Sequence, residues 1–421
     1  MSFTHPGYFS DSLEHSDPNL FAAIKDEKNR QQDQIELIAS ENYVSTAVLQ
    51  AQGSILTNKT VEGYPRRRYY GGTEFADQVE QLAIDRACQL FNCNYANVQP
   101  HSGSNANQAV FLGLLDYDDR ILSMDVASGG HISHGHSATQ TGQRYQIISY
   151  GVNRQTELVD YDEIRDLAKK YSPKLIIAGG SAYARTIDFA TFRKISDECG
   201  ALFLVDMAHF AGLVATGLYA NPFPHADVVT TTTYKSLRGA RGGIILANNK
   251  QLAKKMAASV FPGIQGSVLL HSVAAKAACL GEALRPEFKL YNQAVLNNAI
   301  QLAATLDKSG VRIVSGGTDC GLMLTDLRSL KVSGDSAVKV LEAAGLTCNK
   351  NLIPFDPQPP EVASGLRLST NAGTTRGFGE AEFTCIGKWI AEILKSQAQQ
   401  QDRVRQTREE VLEMCKRFPI Y

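Results

Sequence analysis

No stretch of about 18 uninterrupted apolar residues occurs in this sequence, so no segment has the length and character of a membrane-spanning helix. The first residues, MSFTHPGYFSDSLEHSD, lack a basic segment followed by an apolar one, which argues against a secretory leader and leaves a cytoplasmic expectation. The tripeptide Asn58-Lys59-Thr60 fits a glycosylation sequon, but on that expectation it never meets the secretory machinery. Excess charge of one sign is missing too. With 42 basic residues against 43 acidic ones, the formal net charge of −1 gives no general electrostatic reason to bind nucleic acid or an anionic membrane. Cysteine pairs with zinc-type spacing are absent, and no metal site is expected. Cys88, Cys93, Cys199, Cys279, Cys320, Cys348, Cys385 and Cys415 read as free buried thiols, with Cys88 and Cys93 in a helix and the turn after it. There is no internal repeat and no low-complexity linker. What is present is a chain of 421 residues, 43% hydrophobic, long enough for two domains and a sizeable core.

The most informative stretch is 201–243. An apolar run of strand length, 201–205, ends abruptly in Asp206, which places a carboxylate at the carboxyl end of a buried strand, where open α/β sheets bind ligands. A second run, 228–233, is β-branched throughout and delivers Lys235 to the end of the neighbouring strand; a turn at 238–242 and a strand at 243–247 follow. A lysine able to form a Schiff base with a pyridine aldehyde, and an acid that keeps a pyridine nitrogen protonated, are the two groups pyridoxal phosphate needs to act as an electron sink. The plainer alternative is a buried Asp–Lys pair across two strands.

Other segments supply companions. NVQPHSGSNANQAVFLGLL reads as strand, turn and amphipathic helix, so Ser102, Gly103 and Ser104 offer small side chains and free N–H groups at a helix N-terminus, suited to a phosphate or serving only as a cap. The loop GYPRRRYYGG carries tyrosines and arginines that could donate to an anion or form an exposed cationic turn. His131 follows two glycines in GGHISHG, where His134 reads as structural. Arg367, in SGLRLST, has a guanidinium able to fork onto a carboxylate, or to sit on a strand surface. Ser16-Asp17-Pro18 starts an N-terminal helical arm whose apolar stripe includes Leu20, Ile24 and residues 35–38.

VDMAHFAGL and VVTTTTYKSLRGARGG, together with ELIASENYVS, EGYPRRRYYGG, GGHISHG, FPGIQGS, CNKNLIPFDP and SGLRLSTNAGTTRGF, resemble the corresponding segments of the serine hydroxymethyltransferase family from about Asp17 to the C-terminus. The resemblance implies an α/β, fold-type I pyridoxal-phosphate enzyme of the aspartate aminotransferase-like kind. It would comprise an arm over 1–58, a large mixed-sheet domain over 59–290 and a smaller C-terminal α/β domain over 291–421. It also implies tetrahydrofolate as co-substrate, and a homodimer with shared active sites, a tetramer remaining open. By the same resemblance Lys235, Asp206, His209, His131, Ser102, Gly103, Ser104, Ser181, Thr232, Gly266 and Ser267 hold the cofactor, the last two from the neighbouring subunit. Ser40, Thr60, Glu62, Tyr69, Tyr70 and Arg367 meet the amino acid; Glu62, Gly130, Ile132 and Asn351 meet the folate; Lys235, Glu62, Tyr70 and Asp206 carry the chemistry.

Three positions depart from the family pattern. NKTVEGY has Thr60 where the serine enzyme has tyrosine, Tyr234 replaces the histidine before the lysine, and Ser128 replaces another before the GGH segment. Loss of a ring at position 60 leaves volume for one extra methyl on Cα. The combination resembles the α-methylserine hydroxymethyltransferase branch, so the expected reaction interconverts 2-methylserine and D-alanine, the alternative being ordinary L-serine and glycine. A folate-independent aldolase or racemase would not need Glu62, Tyr69, Tyr70 and Asn351, and a non-catalytic scaffold would not need Lys235, Asp206 or Arg367.

Overall fold

The computed structural model describes residues 3–396 and 400–421. Its principal strands are β1 (Ile35–Glu36), β2 (Tyr95–Asn97), β3 (Arg120–Met124), β4 (Gln146–Tyr150), β5 (Leu175–Ala178), β6 (Leu202–Asp206), β7 (Val228–Thr232), β8 (Gly243–Ala247), β9 (Arg312–Ile313), β10 (Leu322–Asp326), β11 (Leu346–Thr347), β12 (Asn349–Asn351) and β13 (Gly365–Ser369). A short hairpin, Gly63–Tyr64 with Arg67–Arg68, lies between β1 and β2. The helices that matter most for the site are α1 (Pro18–Asp33), α2 (Glu74–Phe91), α3 (Gly103–Leu114), α4 (Leu270–Ala283), α5 (Pro286–Lys308) and α6 (Gln400–Arg417).

Seven strands form one mixed sheet in the order β2-β8-β7-β6-β5-β3-β4. From β4 to β7 neighbours run parallel, and β8 and β2 extend the sheet antiparallel. Parallel strands covered on both faces read as unbroken apolar runs, which is why LIIA of β5 is wholly buried. β6 and β7 are neighbours with Asp206 opposite Thr230, so the carboxylate and the segment leading to Lys235 leave the sheet side by side. Ser102 caps α3 by accepting from the Asn105 N–H at 3.2 Å. A Cβ at Gly103 would lie 2.7 Å from Thr232 Cγ2, so the start of α3 presses against β7 as closely as glycine permits.

A second sheet, β9-β10-β13-β12, is antiparallel throughout and covers its own core, including Met323, Leu341, Leu366, Leu368, Phe383 and Ile386. Arg367 stands in the middle of β13, opposite Leu324 of β10 and Asn349 of β12. Helix α5 joins the two cores. Phe288, Tyr291 and Val295 belong to the larger, and Ala299, Leu302 and Leu306 to the smaller. The expected boundary between residues 290 and 291 therefore falls inside a continuous helix.

Several elements differ from their sequence reading. The N-terminal helix begins as expected, with Asp17 accepting from the Leu20 N–H at 3.0 Å and Pro18 in the first turn, but it stops at Asp33. Residues 35–36 are a strand paired in parallel with β11, and Ile35 and Leu37 are completely buried in the smaller core. Apolar side chains two residues apart satisfy a strand there better than a helical stripe, because β11 offers them both backbone partners and a core. Leu20 and Ile24 stay exposed. The helical periodicity of residues 268–304 is divided into α4 and α5 at Pro286, which can begin a helix but not continue one. The sequence pattern of a charged terminal helix over 397–416 is met by α6, residues 397–399 lying outside the described residues. All eight cysteines are free, but Cys385 is exposed and Cys88 and Cys199 are half-buried, so only the other five are buried thiols. Among the described residues no helix is long and apolar enough to cross a membrane, and no group of three or more His, Cys, Asp or Glu could hold a metal ion.

Candidate active site

Two adjoining cavities open where β6 and β7 leave the large sheet. The deeper is lined by Gly103, Ser104, Asn107, His131, Gly180, Asp206, Ala208, His209, Thr232, Tyr234 and Lys235. The outer cleft, of about 430 Å3, shares His131, His209, Tyr234 and Lys235 and adds Ser40, Gly130, Ile132, Ser181, Arg241, Lys350, Asn351 and Arg367, so its far wall is the second sheet.

Asp206 is held by three donors rather than by the lysine. Asn107 Nδ2 donates to its Oδ2 at 2.9 Å, His134 Nε2 lies 2.9 Å from the same oxygen, and the Ala208 N–H donates to Oδ1 at 3.1 Å. Burial alone would raise its pKa, but the His134 hydrogen bond and charge, His131 and Asn107 outweigh it and keep the carboxyl well below the usual carboxylate range. The result is a buried carboxylate fixed in its ionised form. Lys235 Nζ has a different partner, His209 Nε2 at 3.0 Å. Burial pulls the ammonium down to about 8, with Asp206 opposing and Arg367 and Arg241 assisting the drop. His209 is pushed well below its ordinary value, first by burial and then by Lys235, and so stays neutral and can accept from the lysine. The alternative of a direct Asp–Lys pair is not what the fold builds.

His131 is held at Nδ1 by Ser133 Oγ at 2.7 Å, and burial, followed by His134, lowers it to about 4. It is a neutral ring on the wall of both cavities. Arg367 donates from Nη1 to the Ser181 carbonyl at 2.8 Å and from Nε to Asn349 Oδ1 at 3.2 Å; burial brings it down to about 10. Among the described residues no carboxylate pairs with it. A buried guanidinium without an acid, in the same cleft as a nucleophilic lysine, is suited to an acid brought by a ligand.

The donor set also fits pyridoxal phosphate. Thr232 Oγ1 is buried without a hydrogen-bond partner beside Gly103 and Ser104, at the N-terminus of α3, where phosphate oxygens are favoured. Lys235 could hold the aldehyde carbon, His131 could face the ring, and Asp206 could hold the pyridine N–H.

Of the residues singled out from the sequence, the structure gathers Ser40, Gly103, Ser104, Gly130, His131, Ile132, Ser181, Asp206, His209, Thr232, Lys235, Asn351 and Arg367 around these cavities. Ser102 serves as the helix cap behind them. Thr60, Glu62, Tyr69, Tyr70, Gly266 and Ser267 line neither cavity. Their segments meet each other instead: Val61 N–H donates to Ser267 Oγ at 3.2 Å, the Tyr69 N–H to the Glu62 carbonyl at 3.2 Å, and the Tyr69 and Phe261 rings meet edge to face at 5.5 Å. Sequence reasoning missed Asn107, and it read His134 as structural. Both are polar residues buried at 1% exposure, which is unusual enough to mark a site once burial is known.

A lysine just past one strand of a mixed sheet, with a fixed carboxylate ending the next and a helix N-terminus beneath, is the arrangement of fold-type I pyridoxal-phosphate enzymes. The family model described as serine hydroxymethyltransferase matches residues 13–390. Over 418 residues the chain is 58% identical to a serine hydroxymethyltransferase of Paramagnetospirillum magneticum, covering 98% of each protein. A serine hydroxymethyltransferase of Rhodospirillum centenum is also 58% identical, over 98% of this chain and 97% of that one. "Serine hydroxymethyltransferase 2" of Rhodospirillum rubrum is 56% identical, over 99% and 97%. The chain belongs to the serine hydroxymethyltransferase family. It is thus a pyridoxal-phosphate-dependent one-carbon transferase of a family that uses tetrahydrofolate as co-substrate.

Proposed function

We propose that the chain transfers a hydroxymethyl group between L-serine and tetrahydrofolate, leaving glycine. The observation that carries the amino-acid half is Arg367, a buried guanidinium with no acid partner in the cleft that holds Lys235. The names of the relatives at 56–58% identity support serine as the substrate. When bound, pyridoxal phosphate supplies an electron sink for the bond broken at Cα. Arg367 and Ser40 grip the substrate carboxylate and so fix which Cα bond is presented for cleavage. Asp206, held ionised by His134 and Asn107, retains the proton on the pyridine nitrogen. Lys235, with a large neutral fraction at pH 8, would be the residue that holds the cofactor's aldehyde carbon. Glu62 moves the proton of the substrate hydroxyl, with Tyr69 and Tyr70 lining that side, and Gly130, Ile132 and Asn351 meet the pteridine.

We further propose that Thr60, Glu62, Tyr69, Tyr70, Gly266 and Ser267 complete the cavities of a second copy in a homodimer. The support is that none of these residues lines the two cavities of its own chain, while Tyr69 is 74% and Tyr70 48% exposed.

A second reading, transfer between 2-methylserine and D-alanine, rests on the departures at Thr60, Tyr234 and Ser128, of which Thr60 bears on substrate size. The methyl must sit where glycine carries its second hydrogen, and a small residue at position 60 leaves room for it. One buried methyl is worth roughly 1 to 3 kcal/mol, so the reading amounts to a shift of preference of about 10- to 200-fold. Assay of L-serine, glycine, 2-methylserine and D-alanine, with and without tetrahydrofolate, separates the two. Efficient folate-dependent cleavage of L-serine with 2-methylserine ignored supports the first; the reverse preference, abolished in Thr60→Tyr, supports the second. Turnover equal with and without folate overturns both.

A further inference from the structure

Away from the cleft, the end of α2 brings two thiols together. The helix closes with Asn92 in the left-handed region, φ 50° and ψ 56°. The Asn92 N–H donates to the Gln89 carbonyl at 3.4 Å and the Cys93 N–H to the Cys88 carbonyl at 3.0 Å. This pair of reversed bonds folds the chain back so that the side chain two residues past the last helical one meets the side chain three residues before the helix ends. In most helices that contact is apolar. Here the two residues are Cys88 and Cys93.

The pair is asymmetric. Cys93 is buried, with its thiol also 3.5 Å from the Tyr95 carbonyl, whereas Cys88 is half-buried and nearer solvent. Cys93 lowers the Cys88 pKa, and Cys88, together with burial, raises that of Cys93. Cys279, Cys320 and Cys348 are solitary, and burial raises each of them to a pKa of about 11 or 12. Cys385 is exposed.

We propose that Cys88 and Cys93 form a redox-modification site for hydrogen peroxide, with Cys88 as the attacking sulfur and Cys93 as the resolving one. The Cys88 thiolate attacks one peroxide oxygen; the O–O bond breaks, hydroxide leaves and takes up the thiol proton as water, and Cys88 becomes a sulfenic acid. Cys93 sulfur then attacks Cys88 sulfur, the S–O bond breaks, a second water leaves, and a disulfide closes across the turn whose Cys93 N–H already donates to the Cys88 carbonyl. Overall two thiols are oxidised by two electrons and one peroxide is reduced to two waters. The disulfide would fasten the end of α2 to the turn that enters edge strand β2.

The test uses the full-length protein with Cys385→Ser to remove the exposed thiol. Substoichiometric hydrogen peroxide is added, remaining thiols are alkylated, and peptides are mapped. The expected first product is a Cys88–Cys93 disulfide, two thiols lost per peroxide, reversed by dithiothreitol. In Cys93→Ala, Cys88 should instead be trapped as sulfenic acid by dimedone, and its alkylation by iodoacetamide at pH 7 should slow several-fold as the lowered pKa is lost. The proposal is overturned if, in the Cys385→Ser protein, Cys88 oxidises no faster than half-buried Cys199. It is equally overturned if excess peroxide yields no linked peptide.

Discussion

The cleft around Lys235 and the surface around Glu62 carry the same kinds of side chain, acids, tyrosines and small polar residues, but in opposite states. In the cleft every reactive group has a tight partner: Asp206 has His134 and Asn107, Lys235 has His209, and Arg367 has two neutral acceptors. On the surface, Tyr69 and Tyr70 are largely exposed, and residues 61–69 meet residues 261–268 through one backbone bond, the Ser267 hydroxyl and the Tyr69–Phe261 ring pair. Within one chain the first region is finished, while the second presents groups without a ligand cavity of their own. Burial fixes protonation states in the first region, whereas the second leaves its tyrosines to solvent.

The largest effect should come from emptying the finished region. Lys235→Ala is expected to drop transfer to background and to abolish borohydride fixation of the cofactor, which peptide mapping of the wild-type protein should find on Lys235. Asp206→Asn keeps the shape but removes the charge, and kcat should fall about 10²- to 10³-fold, the usual worth of one preorganised electrostatic group. If kcat is unchanged, the carboxylate is only structural. Arg367→Lys replaces a fork by a point charge and should lower kcat/KM for the amino acid about 10- to 100-fold, mainly through KM.

The other half of the comparison is tested by mixing. Lys235→Ala and Tyr70→Ala proteins, each inactive alone, should on subunit exchange recover about a quarter of wild-type activity, because half the dimers are hybrids with one intact site of two. No recovery after demonstrated exchange would mean that each chain serves its own cleft. The smallest effect concerns pH. A lysine lowered to about 8 is half neutral there, whereas an ordinary lysine is almost wholly charged. Capture of pyridoxal phosphate by the cofactor-free protein should therefore rise with pH, with a midpoint near 8 and not near 10. Asp206, already ionised, adds no inflection above pH 5.

The legible parts of the site were those marked by a break in a pattern. The run ending at Asp206 and the β-branched run before Lys235 declared both strands and both residues, because a buried parallel strand tolerates a charge only at its end. His134 and Asn107 gave no such break: one lies in a glycine-rich loop and the other among polar helix residues, and only their burial against Asp206 reveals them. Strand β1 was hidden for another reason. Two apolar residues following a helix extend its stripe equally well on paper, and only the distant partner β11 decides otherwise. That Glu62 lines neither cavity of its own chain has no mark in the residue pattern; only the resemblance, with its shared active sites, pointed to it.

The pairing of β1 with β11 also bears on how the chain is made. Gln34 and Thr347, which hydrogen-bond beside that pairing, are 313 residues apart. At a synthesis rate of 5–20 residues per second, Ile35 and Leu37 would leave the ribosome about 15–60 s before the strand that receives them exists. For that interval two of the most deeply buried side chains of the smaller core remain uncovered on the nascent chain. They are the sites where a trigger-type chaperone should crosslink, and the crosslinks should vanish once residues beyond 346 have emerged.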